Sequence, residues 1–170
     1  NYRFPSTDFE NFIKNYQGDF IINCIGSIQQ KNNNFDVNFK LPADIENISN
    51  CKIIYPGSDC EDDNSNYGKS KRKATNFIKS NCKNTKIIKT SIIGPEISSE
   101  FGLMEWFLSQ KEVKGFSEFY WNGNTTLTWA KYCYKIMKNW NEYGVETILH
   151  SECISKYSLL KSINEIYNKN

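Results

Sequence analysis

The spacing of apolar residues divides this chain into alternating helices and strands. Apolar residues recur at helical intervals over residues 6–17, which predicts an amphipathic helix. Three short, continuous apolar runs follow it, at residues 19–26, 51–56 and 86–93. Runs of this length are typical of strands that are buried on both faces of a parallel sheet.

Two further amphipathic segments, at residues 37–48 and 67–80, separate these runs and predict helices, with a polar loop over 27–36 before the first. Helices that alternate with strands predict βαβ units and a parallel sheet. The predicted fold class is therefore α/β, with a Rossmann-like, doubly wound sheet in residues 1–100. The pattern over residues 101–170 is less regular and predicts a small α+β lobe, packed against the sheet as part of one compact unit.

Polar and small residues follow each predicted strand. These segments are Asn23–Gly26, Ser58–Cys60 and Ser91–Glu96. Ligands of open α/β sheets bind outside the carboxyl ends of the strands. We therefore expect the three segments to converge on one crevice.

The helix predicted over residues 67–80 places Tyr67 and Lys71 one turn apart on the same face. A neighbouring ammonium favours the phenolate, and so lowers the pKa of a phenol toward the range in which it transfers protons. A Tyr and a Lys at this spacing also occur often by chance. The pair alone therefore leaves a catalytic and a purely structural interpretation open.

Composition and charge narrow the classes of protein to which the chain can belong. The 170 residues are 39% hydrophobic and 15% aromatic, which is ordinary for a globular domain with its own core. The 21 basic and 19 acidic residues are spread along the chain and give a net charge of +2. Because the charges balance and are spread out, no strongly basic surface is expected. The sequence therefore predicts neither a nucleic-acid partner nor binding to an anionic membrane.

The cysteines predict free thiols. Six cysteines are scattered without a Cys-x-x-Cys pair, and His150 is the one histidine, so no metal site is expected. Several cysteines lie in apolar surroundings, where a free thiol behaves as a small hydrophobic side chain. With no signal peptide or membrane-spanning run in these residues, the prediction is a cytoplasmic protein.

The order of the motifs is similar to that of a known family. The matching stretches are NCIG (23–26), VNFKLP (37–42), YPGSDC (55–60), YGKSK (67–71), KTSIIGPE (89–96), LMEWFLSQ (103–110), WNGNTTL (121–127) and ISKYSLL (154–160). They resemble the extended short-chain dehydrogenase/reductase family, in the sugar-nucleotide branch typified by dTDP-4-dehydrorhamnose reductase. The family's Gly-rich loop, which binds a pyrophosphate, has no counterpart among these residues.

The resemblance implies roles for individual residues. Tyr67 would be the general acid, Lys71 would lower its pKa and bind the nicotinamide ribose, and Ser58 would hold the carbonyl oxygen of the substrate. The cofactor would be NADPH or NADH. The cofactor-binding residues implied are Asn23, Cys24, Ile25, Gly26, Lys71, Ser91 and Ile92. The substrate-binding residues implied are Ser58, Asp59, Trp121, Asn122, Gly123 and Thr125.

The implied function is an oxidoreductase that reduces a nucleotide-linked 4-keto-6-deoxy sugar, of the dTDP- or UDP-4-dehydrorhamnose type, in deoxysugar biosynthesis such as rhamnose synthesis. Two alternatives stay open at this point. One is a catalytically silent subunit that binds or responds to a sugar nucleotide, and the other is an epimerase of such sugars. The expected partner is a nucleotide sugar, and a homodimer is an assembly compatible with the family.

Overall fold

The computed structural model describes residues 3–28, 34–97 and 100–168. The predicted alternation of helices and strands is confirmed, whereas part of the loop predicted over 27–36 lies outside the described residues. The helices are α1 (Thr7–Asn15), α2 (Asp36–Ile48), α3 (Asn66–Asn81), α4 (Leu103–Ser109), α5 (Thr126–Lys138) and α6 (Lys156–Tyr167). The strands are β1 (Phe20–Ile22), β2 (Lys52–Gly57), β3 (Thr85–Lys89), β4 (Ile92–Ile93), β5 (Tyr120–Trp121), β6 (Asn124–Thr125), β7 (Glu146–Ile148) and β8 (Ile154–Ser155).

The main sheet has the strand order β1-β2-β3-β7, and all of its neighbouring strands run parallel. The register places Ile22 beside Ile54 and Gly57 beside Lys89. The residues that follow β1 and β2 therefore emerge at the same edge of the sheet. This arrangement confirms the predicted α/β fold with a Rossmann-like parallel sheet.

The chain forms two compact units. The first contains residues 1–89 and 132–148, and the second contains residues 90–131 and 149–170. The single boundary predicted near residue 100 differs from this division. The reason is that β7, late in the chain, pairs in parallel with β3 and so belongs to the main sheet.

The core of the first unit forms where helices cover the sheet. Phe9 and Ile13 of α1 pack with Leu41 and Ile45 of α2 against Ile53 of β2. A second cluster consists of residues of α3 and of the two central strands: Tyr55, Ala74, Ile78 and Ile87. Each fully buried aliphatic side chain contributes roughly 1.5–3 kcal/mol relative to its exposed state, so these contacts fix α3 on the sheet.

The second unit has a core of its own. Met104 and Phe107 of α4 pack with Leu159, Leu160 and Ile163 of α6. It also contains a parallel pair, β4 with β6, and an antiparallel pair, β5 with β8. Among the described residues, no helix combines the length and the apolar character needed to cross a membrane.

Three local predictions were wrong. The strand predicted over 19–26 is confined to Phe20–Ile22, and the strand predicted over 86–93 is divided between two sheets as β3 and β4. The apolar spacing over α5 predicted an inward stripe of Leu127, Ala130, Cys133 or Tyr134, and Met137. Of these residues Cys133 is buried, whereas Leu127, Ala130 and Tyr134 are exposed. The buried stripe of α5 is formed by Trp129, Cys133 and Ile136, which have the same helical spacing.

Candidate active site

The candidate site of the first unit lies at the carboxyl end of β2 and the start of α3. Ser65 caps α3, because its hydroxyl accepts a hydrogen bond from the backbone N–H of Gly68 at 2.9 Å. The helix predicted over 67–80 is confirmed. Tyr67 is half-buried in its first turn, and Lys71 is buried one turn later.

Ser58 follows β2 directly and caps a short 3-10 turn at Asp59–Asp62. Its hydroxyl oxygen accepts a hydrogen bond from the backbone N–H of Cys60 at 3.2 Å. The side chain of Glu61 accepts the backbone N–H of Ser58 at 3.0 Å, which completes a capping box. Ser58 is therefore held at one position at the strand end, and its side chain is buried.

The ring of Tyr67 packs edge-on against Phe35, with 6.1 Å between the two centroids. The pKa of Tyr67 is raised from its ordinary value, first because the group is desolvated by burial. The Ser58 side chain acts in the opposite direction, since its hydroxyl favours the phenolate. The net direction is a rise, because burial outweighs the effects that favour the phenolate, and the role of Lys71 in lowering this pKa stays a prediction.

Lys71 is engaged with β2. Its Nζ atom donates a hydrogen bond to the carbonyl oxygen of Pro56 at 2.6 Å and lies 4.1 Å from the centroid of the Tyr55 ring. Burial lowers the pKa of Lys71 to about 8, while the negative charge of Glu61 acts in the opposite direction. Lys71 is therefore a buried amine that changes charge near neutral pH.

The lowered pKa of Lys71 predicts a pH-dependent stability. Between about pH 8 and its ordinary pKa of 10.5, Lys71 retains its proton in the unfolded chain and loses it in the folded chain. Because the unfolded state then binds more protons, the free energy of unfolding rises with pH in this window, by at most about 1.4 kcal/mol per pH unit. Urea unfolding at several pH values should show this rise relative to Lys71→Met. A constant difference between the two proteins from pH 8 to 10.5 would contradict the assignment.

The segment that follows β1 is tied to α3 by a buried amide. Asn38 on α2 accepts the backbone N–H of Ser27 at 2.7 Å and donates to the Ser27 carbonyl oxygen and to the Ser70 hydroxyl, both at 3.0 Å. A Cβ atom on Gly26 would lie 3.1 Å from the Asn38 Oδ1 atom. The structure thus brings the predicted segment Asn23–Gly26 and the start of α3 together around Asn38.

Asn23 has an unused polar group. Its Oδ1 atom accepts the backbone N–H of Ile25 at 3.0 Å, whereas its Nδ2 atom is buried without a hydrogen-bond partner among the described residues. A buried amide donor of this kind costs roughly 1–3 kcal/mol unless a ligand or water accepts it. This donor at the carboxyl end of β1 fits the ribose or carboxamide oxygens of a nicotinamide nucleotide.

The remaining predicted site residues belong to the second unit, where hydrogen bonds between side chains hold Trp121 and Asn122. The indole nitrogen of Trp121 donates to the Ser91 hydroxyl at 2.9 Å, and a Cβ atom on Gly123 would lie only 2.4 Å from the Ser91 carbonyl oxygen. Asn122 and His150 form a hydrogen bond at 3.1 Å. Ile92 and Thr125 are exposed members of the β4–β6 pair. Their convergence with the residues of the first unit stays a prediction.

Sequence reasoning missed two residues of the first unit. Asn38 was part of the matching VNFKLP stretch, but its role in joining two segments needed the structure. The run Glu61-Asp62-Asp63 indicates an acidic loop, yet Glu61 is only 3% exposed. The Ser-x-x-Glu spacing of Ser58 and Glu61 is the signature of a capping box and could have revealed it. The part of the chain that the structure describes contains no group of three or more potential metal ligands.

Comparison with solved structures identifies the fold. A dTDP-4-dehydrorhamnose reductase ortholog from Clostridium acetobutylicum superposes with a TM-score of 0.74 at 17% identity, over 94% of this chain and 66% of the other. The chain has the fold of an extended short-chain dehydrogenase/reductase. The dTDP-4-dehydrorhamnose reductase of Bacillus anthracis, solved in complex with NADP, has the same fold, with a TM-score of 0.72 at 15% identity over 95% and 66% of the two chains.

The same fold also occurs in an epimerase. The ADP-L-glycero-D-manno-heptose-6-epimerase of Helicobacter pylori matches with a TM-score of 0.69 at 16% identity, over 94% of this chain and 62% of the other. The chain spans just under two thirds of the length of the reductases that it matches. No family model matches the sequence, and no curated protein matches it either.

Proposed function

We propose that this chain is an NAD(P)H-dependent reductase of a nucleotide-linked 4-keto-6-deoxy sugar, of the dTDP- or UDP-4-dehydrorhamnose type. The observation that carries the proposal is the grouping of three side chains at the carboxyl end of β2. Ser58 follows the strand directly, Tyr67 lies in the first turn of α3, and Lys71 lies one turn further along and donates to the Pro56 carbonyl oxygen. The fold is also that of two dTDP-4-dehydrorhamnose reductases. These features support a site that delivers a proton to a carbonyl oxygen.

The residues of the first unit have separate roles in this chemistry. The Ser58 hydroxyl donates a hydrogen bond to the carbonyl oxygen of the substrate, and Tyr67 gives that oxygen its proton. The raised pKa of Tyr67 keeps the phenol protonated, so the acid form is ready at neutral pH. NAD(P)H, when bound, supplies the hydride for the carbonyl carbon. Asn23 and Lys71 would hold its nicotinamide ribose.

The substrate assignment extends to the second unit. Trp121, Asn122, Gly123 and Thr125, together with Asp59 of the first unit, are the residues we propose for the sugar nucleotide. The bonds from Trp121 to Ser91 and from Asn122 to His150 restrict the turn that carries them. A restricted turn lowers the entropy lost on binding and so favours selectivity for one sugar.

A direct assay tests the proposal. The chain is incubated with NADPH or NADH and dTDP-4-dehydrorhamnose, and the loss of the reduced nicotinamide absorbance is followed. We expect oxidation of the cofactor that depends on the sugar nucleotide, with a 4-hydroxy sugar as the product. A product that retains the keto group and has an inverted carbon, without net oxidation of the cofactor, would instead assign an epimerase.

A catalytically silent protein that binds sugar nucleotides is the second candidate. The observation in its favour is that the Lys71 ammonium is bonded to the Pro56 carbonyl oxygen, while burial raises the pKa of Tyr67. Isothermal titration calorimetry separates the two functions. Binding of dTDP-sugar without measurable binding of NADPH or NADH would favour the silent protein, and binding of both would favour the reductase.

A further inference from the structure

Glu61 is a buried carboxylate behind the candidate site. It is 3% exposed, whereas the next residue, Asp62, has a side chain that is 87% exposed. Moving a carboxylate out of water costs several kcal/mol unless hydrogen bonds and opposite charge compensate. The contacts of Glu61 therefore show which groups compensate this cost and which elements the buried carboxylate connects.

Three elements of the first unit meet at this carboxylate. Its Oε1 atom accepts the backbone N–H of Ser58 at 3.0 Å and the hydroxyl of Thr75 on α3 at 2.9 Å. Its Oε2 atom lies 3.5 Å from the Nζ atom of Lys89 at the end of β3. One side chain thus fixes the turn after β2 relative to both α3 and β3.

The charge of Glu61 also acts on Lys71. The Pro56 carbonyl oxygen and the face of the Tyr55 ring both contact the Lys71 ammonium and favour it, but the burial of this amine disfavours its charged form. The negative charge of Glu61 opposes this effect and favours the charged amine. Other titratable groups near this pair are Tyr55 on β2, Tyr67 and Arg72 on α3, Lys89 on β3 and Asp62 in the turn; the Arg72 guanidinium donates to the Glu61 carbonyl oxygen at 2.6 Å.

We propose, on the basis of the function proposed above, that Glu61 is a positioning residue of this site. Its carboxylate holds the backbone of Ser58 at the end of β2 and places a negative charge beside the strand end to which Lys71 is bonded, where it favours the charged form of that amine. Glu61 does not itself contact the reacting atoms. It acts through Ser58, which is proposed to bind the substrate oxygen, and through Lys71, which is proposed to hold the cofactor.

The substitution Glu61→Gln separates charge from shape, because the amide has nearly the same size and keeps one acceptor oxygen. The ¹³Cε resonance of Lys71 is followed by NMR as a function of pH. We expect the midpoint of its titration, about pH 8 in the unmodified chain, to move down by about one pH unit. An unchanged midpoint would overturn the proposal.

Asp62→Asn is the matched control. It removes the same charge one residue away, at a carboxylate that lies 3.8 Å from Lys89 and faces solvent. Solvent screens an exposed charge, so the Lys71 titration should keep its midpoint in this variant. An equal displacement in both variants would mean that net charge, and not the position of Glu61, controls Lys71.

Turnover gives a second readout that a purely structural role would not produce. If the midpoint falls from about pH 8 to about pH 7, the fraction of charged Lys71 falls about fivefold at pH 8 and hardly at all at pH 6. We expect kcat of Glu61→Gln to follow this fraction. An equal loss of kcat at both pH values would assign a structural role to Glu61 and overturn the charge argument.

The unmodified chain provides a test that does not depend on the stability of any variant. The ¹³Cδ resonance of Glu61 should respond to the titration of Lys71 with the same midpoint, and a Glu61 signal that does not respond would overturn the proposal. The NMR measurements need neither substrate nor cofactor. Coupled titrations without any oxidation of NAD(P)H would therefore reject the proposed function while supporting the link between Glu61 and Lys71.

Discussion

Replacing Tyr67 with Phe is expected to lower kcat for NAD(P)H oxidation by a factor of about 10² to 10⁴, the usual contribution of a positioned general acid. The substitution removes the phenol hydroxyl and leaves the aromatic ring, which packs against Phe35. Steady-state kinetics with a nucleotide-linked 4-keto sugar measure the loss. KM should change much less than kcat, because the proton is transferred only in the transition state.

The ring of residue 67 makes this substitution mild for the fold. A Phe side chain can keep the edge-on contact with Phe35, whose centroid lies 6.1 Å away. Tyr134→Phe, on an exposed position of α5, is the matched control and should retain full turnover. Turnover by Tyr67→Phe at the rate of the unmodified chain would remove Tyr67 from the mechanism.

Replacing Gly68 with Ala is expected to lower the free energy of unfolding by roughly 2 kcal/mol, as is usual for overpacking in a closely packed site. By intrinsic helix propensity, alanine stabilises a helix interior by about 1 kcal/mol relative to glycine. At this position, however, its Cβ atom would lie 2.2 Å from the carbonyl oxygen of Cys60 and 2.3 Å from the Asp63 Oδ1 atom. The Cys60 carbonyl is backbone, so the clash outweighs the helical preference.

Chemical denaturation with urea measures this effect, and Gly144→Ala is its control. A Cβ atom on Gly144 would have no heavy atom within 4 Å, so the substitution should change the free energy of unfolding by less than about 0.5 kcal/mol. Because the clash displaces the turn at Asp59–Asp62, Gly68→Ala should also lower kcat. A Gly68→Ala chain as stable as the unmodified one would contradict this packing.

Periodicity predicted the fold wherever one apolar face dominated a segment. Helix α3 has such a face, with Ala74 and Ile78 fully buried, and its predicted limits agree closely with the structure. The method failed for α5, because two apolar stripes have the same period and only packing decides between them. Periodicity also predicted too long a strand β1. The Asn23 side chain accepts the backbone N–H of Ile25, which replaces the bond to a neighbouring strand that this N–H would otherwise form.

The candidate site was only partly predictable. Tyr67 and Lys71 lie on the same face of α3, as predicted, because residues four apart on a helix share a face. Their electrostatics did not follow from spacing, since burial is set by residues far along the chain. Lys71 is covered by Tyr55 and Pro56 of β2, and this cover, not the phenol, determines its pKa.

The capping role of Ser58 has a consequence for how this protein can diverge. Its side chain closes the turn after β2 whether or not a substrate is ever bound. A descendant that lost all activity would still be selected to keep a serine there, and threonine would be a tolerated exchange. Retention of residue 58 is therefore a poor marker of an active lineage. The hydroxyl of residue 67 is the better one, because phenylalanine would preserve the packing of its ring.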